Sequence, residues 1–195
     1  FLPYRQRHLD ALECQSCHIP HPMAPTAQMI DETVVRSDGA PAIVYRGLDQ
    51  EAGSPLNVAF SRGYRPLLLL HRNAAGEQKV GPFNAVDRWF WASARTDRAV
   101  PIETVRQAYL ESGHYATAVV AAFDTNHDGL INSSELRLDT PAKRELVASR
   151  LVTLGVVDPV IRHAVMLYPL QHGVLSGTQV QRDCNNCHAR DSRLG

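Results

Sequence analysis

Two short β-prone runs, Thr33-Val34-Val35-Arg36 and Ala42-Ile43-Val44-Tyr45, flank Ser37-Asp38-Gly39. Asp-Gly supplies the positive φ that a tight turn needs, so residues 33–46 are predicted to form a β-hairpin. Gly47 to Gly63 is rich in Gly, Ser and Pro and reads as a loop. A second hairpin is expected from Leu67–Arg72 and Gln78–Val80, turning through Asn73-Ala74-Ala75-Gly76. Asp87–Ala92 reads as one more strand, with Trp89 and Trp91 on one face and Phe90 on the other. From Pro101 the spacing becomes helical, with Ile102, Val105, Ala108 and Tyr109 on one stripe until Ser112-Gly113 breaks it. Helices are predicted over about His114–Phe123, from Thr140-Pro141 to Leu154 with Gly155 as terminator, and from Asp158-Pro159 to just before Pro169.

These elements predict an α+β fold, with β-hairpins in the N-terminal half and a mainly helical C-terminal half. At 195 residues the chain is read as one domain, 1–195. It comprises an N-terminal segment (1–30), a β-rich part (31–95), a helical part (100–168) and a C-terminal segment (169–195). Formal net charge is zero, which gives no basic surface for nucleic acid. The most apolar run, Leu67 to Leu70, is only strand-sized, so no transmembrane segment is expected.

The candidate chemistry lies at the two ends. Cys184-Asn185-Asn186-Cys187-His188 has a twin in Cys14-Gln15-Ser16-Cys17-His18. C-x-x-C-H is the attachment pattern of c-type haem: two thiols one helical turn apart reach the two vinyl groups, and the next histidine falls under the iron. All four cysteines of the chain lie in these two motifs, and both copies carry the histidine. A zinc ribbon would hold its two cysteine pairs closer together. Two covalent haems are therefore expected, one near each chain end, bound by Cys14, Cys17, His18, Cys184, Cys187 and His188. Such attachment takes place outside the cytoplasm in bacteria, so a periplasmic or extracellular chain whose leader has been removed is expected. Trp89 and Trp91 suit a porphyrin face and an ordinary core equally well.

A second motif is Asp124-Thr125-Asn126-His127-Asp128-Gly129-Leu130-Ile131-Asn132-Ser133-Ser134-Glu135, which fits an EF-hand loop. Asp124, Asn126 and Asp128 would give side-chain oxygens, Leu130 its carbonyl, Asn132 a direct or water-mediated contact, and Glu135 both carboxylate oxygens. Gly129 stands where the loop needs positive φ. One loop without a partner hand points to a structural Ca²⁺ rather than a sensor.

The second axial ligand of each iron separates electron transfer from chemistry at an open iron. His8 and His172 are the first candidates, each lying shortly upstream of a motif and better placed to serve the neighbouring haem than its own. His71 and His163 come next, and His21 and His114 stay open; His127 points out of the calcium loop. Met23, Met29 and Met166 read as apolar filler. Cys17-His18-Ile19-Pro20, and His172-Gly173-Val174 leading into the second motif, resemble local patterns of multihaem cytochromes related to octahaem tetrathionate reductase. The resemblance covers only the two ends. It implies bis-histidine iron and electron transfer, but not that enzyme's activity, since two motifs stand here rather than eight.

The leading expectation is an exported dihaem electron carrier, not an enzyme, stabilised by one Ca²⁺. Its partners would be other redox proteins or copies of itself, the latter in a conducting filament with His8 donated to a neighbour's iron. The alternative is a dihaem peroxidase or another haem redox enzyme with one open iron. Known dihaem peroxidases resemble two fused cytochrome domains and are longer.

Overall fold

The computed structural model describes residues 4–22, 24–50, 59–61 and 63–192. In order, the elements are α1 (Arg5–Ala11), α2 (Cys14–His18), β1 (Thr26–Val35), β2 (Pro41–Arg46), β3 (Leu48–Gln50), β4 (Ala59–Ser61), β5 (Leu67–Arg72) and β6 (Gln78–Ser93). They continue with α3 (Ile102–Tyr109), β7 (Leu110–Glu111), β8 (His114–Tyr115), α4 (Thr117–Phe123), α5 (Pro141–Thr153), β9 (Pro159–Pro169), a 3₁₀ turn (Gly177–Gln179) and α6 (Asn185–His188). The strand order is β2-β1-β6-β5, with β9 also paired to β6. β1 runs parallel to β6 and β5 antiparallel to it, which makes the sheet mixed. The chain forms two compact units: Phe1–Gln28, Tyr45–Val86 and Met166–Gly195 make the first, Met29–Val44 and Asp87–Val165 the second.

The first unit carries both C-x-x-C-H motifs. Its framework is the β5–β6 hairpin, registered from Leu67↔Phe83 to Arg72↔Gln78. The Asn73 side chain sets the turn by accepting from the N–H groups of Ala75 and Glu77, and Gly76 takes φ 81°. β6 does not stop at Gly81-Pro82. Pro82 pairs with Leu68, and its carbonyl accepts from Leu170 N–H at 2.8 Å. Among the described residues the buried apolar side chains of this unit are few and include Ile19, Leu68, Phe83 and Val86. Within the Gly-rich loop the described residues form a short antiparallel β3–β4 ladder.

The second unit holds the large apolar cluster. Val34 and Val35 from β1, Trp91 from β6, Val105 and Tyr109 from α3, Val119 and Phe123 from α4, and Val147 and Leu151 from α5 pack together. Two buried rings anchor it through polar tips. Trp91 Nε1 and the Tyr109 hydroxyl both donate to the Thr33 carbonyl at 3.0 Å, which satisfies groups that would be costly to bury unpaired. Desolvation pushes the Tyr109 hydroxyl well above its ordinary pKa, with the nearby Asp31 and Tyr115 adding to it. α5 starts as its sequence dictates: Thr140 caps it by accepting from Lys143 N–H, Pro141 opens it, and Gly155 closes it at φ 90°.

The expected mainly helical C-terminal half is overturned, because strands run through the whole chain. The segment 159–168 is a strand, β9, and not a helix. Its apolar residues at 160, 161, 164, 165 and 168 also suit helical spacing, but Val160, Ile161 and Val165 are β-branched, and pairing with β6 decides the outcome. The helix expected from His114 begins only at Thr117. Leu110↔Tyr115 and Glu111↔His114 close a small hairpin through Ser112 and Gly113, whose φ values of 51° and 82° fit a type I′ turn. Among the described residues no helix is long and apolar enough to cross a membrane. Adjacent residues of α5 test the packing. Leu151 is fully buried and Val152 is 54% exposed, so Leu151→Ala is expected to cost about 2–5 kcal/mol and Val152→Ala under about 0.5 kcal/mol. Chemical denaturation of both variants checks this, and equal losses would place the core elsewhere.

Candidate functional site

The first motif is one helical turn docked on the β6 strand. Glu13 N–H and the buried Ser16 hydroxyl both donate to the Val80 carbonyl, at 2.9 and 2.7 Å. Ile19, next to His18, is fully buried. With the turn fixed between these contacts, Cys14 and Cys17 fall three residues apart on one side of the helix. Cys14 is exposed and Cys17 half-buried. The second motif repeats this turn in α6. The Asp183 carboxylate accepts from Asn185 N–H at 3.0 Å, and His188 N–H returns to the Cys184 carbonyl at 2.8 Å. None of the four cysteines is in a disulfide.

The segment leading into the second motif runs along the first. His18 and Leu175 exchange two contacts: Leu175 N–H donates to the His18 carbonyl at 2.8 Å, and His18 Nδ1 lies 2.8 Å from the Leu175 carbonyl. Gln181 N–H donates to the Cys17 carbonyl at 3.0 Å. A carbonyl can only accept, so His18 Nδ1 carries the proton and Nε2 keeps its lone pair. That is the tautomer a metal-ligating histidine needs, held by the kind of outer hydrogen bond that orients such rings.

The reverse reach is made by α1. The ring of His8 lies with its centroid 6.1 Å from that of His188, their planes at 75°. The two imidazoles, from opposite ends of the sequence, thus lie close together, edge to face.

The other histidines are dispersed. His172 is exposed in the coil after β9, three residues before Leu175, and His21 is exposed just after α2. His71 on β5 is half-buried, with Nε2 3.3 Å from Glu13 Oε1 and its ring edge-on to Phe83. In the second unit His163 bonds Asp87 at 3.0 Å and lies against Trp89, which answers part of the tryptophan question: Trp91 belongs to the core and Trp89 to a surface histidine. His114 and His127 are exposed there too. Met29 and Met166 are half-buried, and Met23 lies outside the described residues.

The loop 124–135 follows α4 and winds around its own oxygens. Gly129 N–H donates to Asp124 Oδ2 at 2.8 Å, Asp128 N–H to Asn126 Oδ1 at 2.9 Å, Leu130 N–H to Asp128 Oδ1 at 2.8 Å, and Ser134 N–H to Asn132 Oδ1 at 2.9 Å. Gly129 takes φ 83°. The Glu135 carboxylate crosses to the loop's start and accepts from Thr125 and Asn126 N–H and the Thr125 hydroxyl, and at its other oxygen from Asn132 N–H. Backbone donation from Asn132, followed by the Thr125 and Asn126 donors, lowers its pKa to about 2. Asp124 and Glu135, at the two ends of the loop, are both buried carboxylates. The incoming helix is as expected, but the next helix begins only at Pro141. Among the described residues no three His, Cys, Asp or Glu side chains form a metal group. The donors of this loop include amide and backbone oxygens, and the calcium expectation rests on its course rather than on a preformed cluster.

Residues that sequence reading missed are backbone or supporting groups: the Leu175 carbonyl, Glu13 beside His71, and Lys143 beneath the loop. A carbonyl has no sequence signature, and no motif marks the other two.

The fold is similar to that in the crystal structure of octaheme cytochrome c from Shewanella oneidensis, with a TM-score of 0.53 and 12% identity over 98% of this chain and 46% of that one. The chain thus spans less than half the length of that protein. At this identity the likeness speaks of fold alone, a fold like that of a multihaem c-type cytochrome. No family model matches the sequence, and no curated protein does.

Proposed function

We propose that this chain is a dihaem c-type cytochrome that carries electrons outside the cytoplasm, an electron carrier rather than an enzyme, with one structural Ca²⁺ in the loop 124–135. Cys14 and Cys17 would hold one haem with His18 Nε2 on its iron. Cys184 and Cys187 would hold the other, with His188 and His8 as the histidines for its iron. The observation that carries this reading is the pairing of the His8 and His188 rings, with centroids 6.1 Å apart, in a unit that also orients His18 through Leu175. That few apolar side chains are buried among the described residues of the first unit agrees with it, because a porphyrin would supply core there.

A haem iron brings a one-electron couple. What the chain adds is ligand choice and a fixed geometry. Two imidazoles favour electron transfer over binding of small molecules, and they hold the potential below that of a His/Met site. With His8 beside a histidine of its own chain, this reading takes both histidines of that iron from one chain, and a filament would be built on other contacts. Its partners are redox proteins.

Two experiments test the proposal. The mature protein should keep a mass excess of two haems after denaturation, and His8→Ala should turn one of the two irons from low-spin to high-spin and open it to CO. A mass equal to the bare polypeptide sinks the haem reading, while an unchanged low-spin spectrum in the variant removes His8 from the iron. For the ion, elemental analysis should find one calcium per chain. Excess chelator should lower the unfolding temperature, and Glu135→Gln should weaken binding by removing a charged bidentate ligand. A chelator-insensitive protein free of calcium would leave the loop as a plain Asx-rich turn.

A further inference from the structure

The chain writes its positive charge as arginine eighteen times and as lysine twice. One of those lysines is buried. Lys143, in the first turn of α5, is only 4% exposed. Its ammonium lies 3.2 Å from the Glu135 carbonyl and 3.0 Å from Asp139 Oδ1, and sits over the Phe123 ring at 5.0 Å. Lysines normally carry their charge out to water, and a buried ammonium is costly unless its donors are met. Here the partners fall at both ends of one loop. Phe123 is the residue before Asp124, and Glu135 is the last loop residue.

An isolated EF-hand lacks the partner hand that steadies its loop. Ile131, which would pair with that hand, packs here against the apolar cluster of its own unit. We propose that Lys143 is the positioning residue of the calcium loop, clamping its entry and its exit so that the Glu135 carboxylate is presented inward. It does for a lone loop what a second hand does for a pair, and the inference rests on the calcium reading above. A cation beneath a cation site would ordinarily weaken it. Asp139 stands beside the ammonium, however, so the pair is close to neutral at a distance and the tether dominates. The compact ammonium suits the place better than a planar guanidinium, since its three donors can point at a carbonyl, a carboxylate and a ring at once.

The test uses the full chain and its Lys143→Met and Lys143→Gln variants. Ca²⁺ affinity is measured by calorimetry, and unfolding temperature in Ca²⁺ and in excess chelator. Lys143→Met should bind Ca²⁺ about tenfold or more weakly, in the range of lost outer-shell support. Its Ca²⁺-dependent rise in unfolding temperature should shrink in step. Lys143→Gln, which keeps an N–H donor for the Glu135 carbonyl, should recover part of the affinity, and it decides the matter if the methionine variant does not fold. Unchanged or tighter binding in the folded variants overturns the clamp. So does an equal fall in unfolding temperature with and without Ca²⁺, the mark of a merely structural lysine. If the unmodified chain itself binds no Ca²⁺, the calcium reading fails first, and this is visible before any variant is made.

Discussion

The paired contacts between His18 and Leu175 join positions 157 residues apart. Much of the first unit follows from them. They draw the coil before the second motif along the first, they set the tautomer of His18, and they bring α6 to the chain's beginning, where α1 can meet it. Each end thus supplies something the other lacks. The C-terminal segment gives the N-terminal histidine an acceptor, and the N-terminal helix gives the C-terminal histidine a facing ring. A single turn is not stable on its own, and this exchange adds to the hold that β6 already has on the first motif through Val80.

The second unit solves a different problem. Its cluster is continuous and its buried polar tips converge on one carbonyl, that of Thr33. Against that rigid base the loop 124–135 is carried by α4 on one side and tied to α5 on the other by Lys143. The loop's own N–H groups are spent on its side-chain oxygens, so its course is set locally, while its position is set by the core.

Much of the fold could be read from local chemistry. Asp38-Gly39 marked a real turn, with Gly39 at φ 80°, and the β5–β6 register was visible from its turn residues. Thr140 and Gly155 marked the limits of α5. The failures came where a distant partner decided. β9 has apolar spacing that suits a helix, and only its pairing with β6 makes it a strand. Likewise Gly81-Pro82 looks like the end of a strand until Pro82 is seen paired with Leu68. At the candidate site, the motif residues and His8 could be named from sequence. That the two motifs lie in one unit, with His8 beside His188, could not, because it depends on a carbonyl at residue 175.

The closure between residues 18 and 175 also sets an order of events. A chain is made from its N-terminus, so the first motif is complete long before the segment that orients its histidine exists. Until then the His18 ring lacks its Leu175 partner. The first unit, which takes residues from both ends of the sequence, can only mature late, whereas most of the second unit's apolar cluster is contiguous from residue 91 to 151. Contacts of such long range form slowly because loop closure must precede them. The second unit's cluster can gather from nearby sequence, whereas the closure of the first unit requires both ends of it.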